Sequence, residues 1–166
     1  MDNKLFLICP FSCIENFIQK QYGENIFFLT STAAIFNFDE TSYAESVKEF
    51  IATNNITEVV IVNDLSCRFL RKVLRNEWEQ RGASAETILQ DILNNNYAFI
   101  MQPSSTKEQL LRFATLNIQE QIHRMMGFDI FGVDFMLKGI KLTGIISDKL
   151  EQQVYEFKIP NGQFAK

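Results

Sequence analysis

Histidine is nearly missing from this chain: His123 is the single one in 166 residues. A Ser–His–Asp or Cys–His nucleophile would therefore have one candidate base. That base lies on a helical stretch beside Gln119 and Glu120, off the apolar stripe, so a solvated surface histidine is expected. Cysteine is scarce and odd in number, at 3. A disulfide framework is not expected, which leaves buried thiols or metal ligands. Glycine and proline number 7 and 3. Nothing resembles a phosphate-cradling glycine loop, and no linker divides the chain. Lys and Arg form no cluster and the net charge is -4, which argues against a nucleic-acid partner. The apolar run Leu5–Cys9 is too short for a membrane span or a signal-peptide core. The expectation is a cytoplasmic protein with no membrane partner.

Phenylalanine, by contrast, is abundant at 16, within a composition that is 46% hydrophobic. That suffices for one domain with a real core over residues 1–166. Trp78 and the phenylalanines read as core or interface rather than as a stacking platform. The most informative stretch is Glu58-Val59-Val60-Ile61-Val62-Asn63-Asp64-Leu65-Ser66-Cys67. It is a β-branched run that stops at a polar turn and then enters a helix, as a buried parallel strand does. Ser66 is the expected N-cap, which puts Cys67 in the first helical turn.

The chain alternates. Strands are expected at Lys4–Cys9, Asn25–Thr30, Glu58–Val62 and Tyr97–Met101. Helices are expected from a Ser12 cap to Gln21, over Thr41–Asn54 with Asp39 or Thr41 as cap, and over Cys67–Gln80, with Gly82 as its stop. Two more are expected at Ser84–Asn95 and, after a Pro103-Ser104-Ser105 turn, at Thr106–Met126. Ser31–Phe38 reads as a loop. Lys138–Ile146 and Gln153–Phe157 pair as a hairpin, and the tail beyond is loose. This pattern predicts an α/β fold: a mostly parallel sheet of about four strands, order 2-1-3-4, plus a C-terminal antiparallel strand, with helices on both faces. Ligands collect where the winding of such a sheet reverses. Here that crevice lies between the first and third strands, where Cys9 and Cys67 would face each other.

These residues resemble the β-class carbonic anhydrases. The family's first strand ends in Cys-x-Asp-x-Arg, matched by Cys9-Pro10-Phe11-Ser12-Cys13. Its Gly-Asp/Glu step is similar to Gly23-Glu24, and its next helix start to Thr41-Ser42-Tyr43-Ala44. Its third strand ends in Gly-His-x-x-Cys-Gly, aligned with Asn63-Asp64-Leu65-Ser66-Cys67-Arg68. An Asn-Val-x-x-Gln helix is similar to Asn117-Ile118-Gln119-Glu120-Gln121, and a hairpin core to Leu142-Thr143-Gly144. The likeness spans roughly residues 4–157.

The resemblance implies a zinc site, with Cys9 and Cys67 as thiolate ligands and Asp64 where the family has histidine. Cys13 is a candidate fourth ligand. It also implies a homodimer. Yet Phe11 and Cys13 stand at the Asp and Arg of the family's catalytic dyad, which positions the zinc-bound hydroxide. Three thiolates and a carboxylate would suit structural rather than catalytic zinc, and would leave a bound water less acidic. Against this stand plainer readings: all three cysteines as small apolar core residues, Asp64 as a turn residue, Phe11 as pocket wall. Ser31 joins Phe11 and Arg68 as a candidate pocket residue, Arg68 being either an anion ligand or solvated. The function expected is a carbonic-anhydrase-like protein inactive toward CO2, with a residual metal or anion site or a protein partner. The alternatives are an active zinc lyase with a Cys/Asp/Cys ligand set, and a homo-oligomeric structural module.

Overall fold

The β-branched run becomes the middle strand of a five-stranded sheet. The structure is a computed structural model that describes residues 2–77, 84–127 and 137–158. In chain order it runs through β1 (Asn3–Ile8), α1 (Glu15–Tyr22), β2 (Ile26–Thr30), α2 (Thr41–Thr53), β3 (Ile56–Asp64) and α3 (Arg68–Leu74). There follow α4 (Ser84–Asn95), α5 (Tyr97–Ile100), α6 (Thr106–Gly127), β4 (Lys141–Asp148) and β5 (Gln153–Lys158). Single 3-10 turns occupy Pro10–Ser12 and Thr32–Ala34. The strand order is β2-β1-β3-β4-β5. The first four strands pair in parallel and β5 closes antiparallel on β4. The winding reverses between β1 and β3, as expected.

Side-chain alternation along the strands builds two cores. Leu5, Leu7, Cys9, Val59 and Ile61 face one way and pack with Val47 and Ile51 of α2, Leu70 of α3, Leu89 of α4, and Phe113, Ile118 and Ile122 of α6. Phe6, Ile8, Val60, Val62 and Ile145 face the other way, against Ile14 and with Phe17 and Ile18 of α1. The long helix α6 starts on a capping box. The Ser105 amide donates to the Glu108 carboxylate, at 2.8 Å, and the Glu108 amide to the Ser105 hydroxyl, at 3.2 Å.

Several expectations are corrected. Tyr97–Met101 is no strand. It is the short helix α5, closed by the Ile100 amide on the Asn96 carbonyl at 3.0 Å and the Met101 amide on the Tyr97 carbonyl at 2.9 Å. A five-residue apolar run carries no period that separates helix from strand, and here only Ile100 of that helix is buried. The fourth strand is instead β4, which lies parallel to β3 and also supplies the hairpin with β5. Helix α1 is preceded by Ile14 rather than capped by Ser12, and α2 by Glu40 rather than Asp39. Ser66 does not cap α3: Cys67 holds that position, without a side-chain cap. Trp78, Gly82 and the tail after Pro160 lie outside the described residues.

Candidate functional site

Extending the β1–β3 register from Leu7↔Ile61 by two residues sets Cys9 beside Asn63. Both belong to the face covered by α6. Cys67 returns to the same place because the turn after β3 is tight, its amide bonding to the Asp64 carbonyl at 2.9 Å. The two thiols belong to one buried cluster, close enough for each to shift the other's titration. They are buried, at 3% and 1% exposure.

Two further groups converge on Cys9. The Ala33 amide donates to its sulfur at 3.2 Å. The Ser12 hydroxyl is buried without a hydrogen-bond partner of its own, yet lies near enough to help hold a thiolate there. The Cys67 proton, opposed by burial and supplemented by the Phe11 and Ala33 amides and the Ser12 hydroxyl, brings the Cys9 thiol down to about 6. The Cys67 thiol moves the other way. It supplies the shared proton, it is buried, and a negative Cys9 stands beside it.

Behind the thiols lies a buried amide network. Asn117 of α6 donates to the Ala33 carbonyl at 3.2 Å and to the Asn63 side-chain carbonyl at 3.0 Å. Gln121, one turn on, donates to Asn117 at 3.5 Å and accepts from the Phe36 amide at 3.3 Å. Ala33 and Ala34 both have left-handed backbone, with φ of 56° and 55°, a conformation that costs a non-glycine residue energy and persists only where its surroundings hold it. Ala33 is held at both ends, by Cys9 and by Asn117. In the sequence, Asn117 and Gln121 enter only as part of the family resemblance, Ser12 only as a helix cap, and Ala33 has no role. The available signal was that Asn117 and Gln121 fall, four apart, within the apolar stripe of Ala114, Ile118 and Ile122.

The other expected ligands do not join this pair. Asp64 is one residue past Asn63, so its side chain emerges on the opposite face, in register with Ser147. There its carboxylate accepts from the Ser66 amide at 2.8 Å, the Ser66 hydroxyl, the Ser147 hydroxyl at 2.7 Å and the Lys149 amide at 3.2 Å. Cys13 is exposed, in left-handed backbone, its thiol directed to the Pro10 carbonyl at 3.6 Å. Phe11 is 50% exposed. The Arg68 guanidinium stacks over it, 3.9 Å from the ring centroid, and stands 4.9 Å from that of Phe69. Half-buried Ser31 turns its hydroxyl to the Ile35 carbonyl. His123 is exposed on α6.

No family model matches the sequence, and no curated protein matches it either. Solved structures do. A tetrameric β-carbonic anhydrase of the ascomycete Sordaria macrospora superposes with a TM-score of 0.78 at 17% identity, over 94% of this chain and 80% of that one. The β-carbonic anhydrase CafA of Aspergillus fumigatus gives 0.78 at 18% identity, over 99% and 77%. The fold is that of the β-carbonic anhydrases. A Coccomyxa β-carbonic anhydrase in complex with acetazolamide gives 0.72 at 13%, over 94% and 72%. At such identities the likeness speaks for the fold, and chemistry has to be argued from the residues of this chain.

The zinc ion implied by the resemblance needs three or four protein ligands. Among the described residues no group of three or more His, Cys, Asp or Glu side chains is placed to hold a metal. The two sulfurs share one buried cluster, while Asp64 is held on the far face of the sheet. Among the described residues, the side chains around the thiols do not complete a zinc site. No described helix is long and apolar enough to cross a membrane.

Proposed function

We propose that this chain is a β-carbonic-anhydrase-fold protein that does not hydrate CO2 and uses its crevice for binding. The observation that carries the reading is the fate of the dyad positions. Phe11, where the resemblance calls for a carboxylate, is an exposed aromatic lying under Arg68. Cys13, where it calls for a guanidinium, is an exposed thiol. Phe11 has no acceptor to take a hydrogen bond from a reactive hydroxide, and Cys13 has no guanidinium to hold a carboxylate that would, so the positioning that hydration requires is missing. The carboxylate in the histidine position is committed to four donors from Ser66, Ser147 and Lys149.

Stopped-flow measurement of CO2 hydration tests this. The expected rate is that of buffer alone, with or without added zinc. A rate well above buffer that disappears in Cys67→Ser would overturn the proposal. It would favour the rival reading, a zinc lyase that recruits Asp64 beside the two thiols. In the same reading the protein is cytoplasmic and self-associates, which the tetrameric Sordaria neighbour supports, with a dimer as the expected species. Sedimentation velocity at micromolar concentration is expected to show a species of twice the 19.2 kDa chain mass, and a lone monomer would remove the dimer.

A further inference from the structure

Over the whole chain Lys and Arg are spread out, yet four of the 16 fall between Arg68 and Arg75, with no acidic residue among them. Helix α3 sorts these four. Arg71 is half-buried and has a structural task, its Nε donating to the Leu65 carbonyl at 2.8 Å. Leu70 and Val73 are buried. Arg68, Lys72 and, at the C-terminal cap, Arg75 are exposed. Residues four and seven apart share one face of a helix, so these three form a basic stripe. Among the described residues none of the three is in an ion pair, although the chain has a net charge of -4.

We propose that this stripe, with Phe11 and Phe69 at its N-terminal end, is the docking surface for a short acidic segment of a partner protein. The proposal rests on the reading above, because it gives the binding crevice a partner at its mouth.

The stripe begins on aromatic surface. Phe11 follows β1 and Arg68 opens α3, so they stand at the exits of the two strands that flank the winding reversal. The Arg68 guanidinium lies over both rings, and the rings themselves meet edge-on with centroids 5.4 Å apart. Phe69 is braced from behind by the core, whereas Phe11 is open to solvent. A guanidinium laid on a ring keeps its N–H edge for a carboxylate, and an arginine already ordered loses less freedom on binding. Arginine beside exposed aromatic surface is the composition that carries binding energy in protein interfaces.

Charge and length select the partner. At the helical rise the stripe spans about 10 Å, which about three residues of extended chain match. A nucleic-acid duplex or an anionic membrane presents negative charge over a far greater width, and would bring it against the acidic remainder of the molecule. A short acidic segment engages the stripe alone. Its carboxylates meet Arg68, Lys72 and Arg75, and an apolar side chain among them covers Phe11.

The test uses the full chain and a short labelled peptide with glutamate at alternate positions and leucine between them, read by fluorescence anisotropy. Binding is expected, and is expected to weaken as salt rises. Phe11→Ala or Lys72→Glu is expected to weaken it roughly tenfold, and Arg68→Glu, Lys72→Glu and Arg75→Glu combined roughly a hundredfold. Lys20→Glu makes the same charge change at an exposed site on α1 and is expected to leave binding intact. The substituted side chains are exposed, so urea midpoints are expected to stay close to that of the parent. No peptide binding, or an equal loss in Lys20→Glu, would overturn the proposal. So would duplex DNA or phosphatidylserine vesicles held more tightly than the peptide through the same three residues. A dimer that the combined substitutions dissociate would overturn it too, since a second copy would then be the occupant. CO2 hydration well above buffer would sink the non-catalytic reading, while the peptide result would stand or fall on its own.

Discussion

Asp64 lies one residue beyond Asn63, and that single step puts its carboxylate on the far side of the sheet from Cys9. Its work there is structural. It gathers the Ser66 amide and hydroxyl, the Ser147 hydroxyl and the Lys149 amide, so it fixes the exit of β3 to the start of the β4–β5 turn. Asn at this position keeps one acceptor and turns its NH2 toward groups that are themselves donors. Asp64→Asn is therefore expected to lower stability by about 2–3 kcal/mol, the scale for leaving buried donors poorly paired to a carboxylate site. Urea denaturation checks this: the midpoint should fall while the slope stays unchanged. If Asp64 were instead a ligand beside the thiols, the variant would lose bound metal and keep its midpoint. The parity of a strand is written in its sequence, but which residues of β1 and β4 stand opposite is not. The sequence could therefore nominate Asp64 without assigning it a face.

At the scale of whole elements, legibility followed the length of the pattern. Helix α6 was readable from its apolar stripe and the Pro103-Ser104-Ser105 turn before it, and β3 from its β-branched run, because each signal extends over many residues. The winding reversal between β1 and β3 was readable too, and Cys9 and Cys67 fall in one buried cluster beside it. Tyr97–Met101 was not, being too short to carry a period. The Asn117 network was missed for a different reason: a polar residue inside an apolar stripe announces burial without naming its partner. The structure names three, Ala33, Asn63 and Gln121, and so makes α6 the element that holds the left-handed turn after β2 against β3. Asn117→Leu preserves helix and volume but strips the donors from the Ala33 and Asn63 carbonyls. A loss of about 2–4 kcal/mol is expected, from two buried acceptors left unsatisfied. Hydrogen exchange should show the extra opening concentrated at 31–36 rather than spread along α6. Uniform loss of protection along the helix would mean that Asn117 serves α6 itself rather than the turn.

For the molecule as a whole, the thiol pair sets how stability responds to pH. In the unfolded chain both thiols titrate near 8.5. In the folded protein the S–H of Cys67 draws Cys9 down to about 6 against the opposing effect of burial, while Cys67 itself is held up by that same bond, by burial and by the charge beside it. Between about pH 6 and 8.5 the folded pair binds one proton and the unfolded chain two, so stability rises with pH. Above about 8.5 the unfolded chain has released both and the fold still keeps one, so stability falls. Two other groups act only in acid. Burial works against Glu58, yet the Lys4 ammonium at 2.7 Å and the Thr143 hydroxyl hold it below the usual carboxylate range. Asp148, also opposed by burial, is held low by Lys107 at 2.9 Å. Their contributions are present above about pH 4.3 and lost as pH falls through the depressed values. Urea midpoints from about pH 2.5 to 10 should therefore decline in acid and peak near pH 8.5. A double variant, Cys9→Ser with Cys67→Ser, is expected to lose that peak while keeping the acid decline, since serine does not titrate in this range. A peak that survives in the double variant would place the titrating groups elsewhere and would separate the two sulfurs electrically.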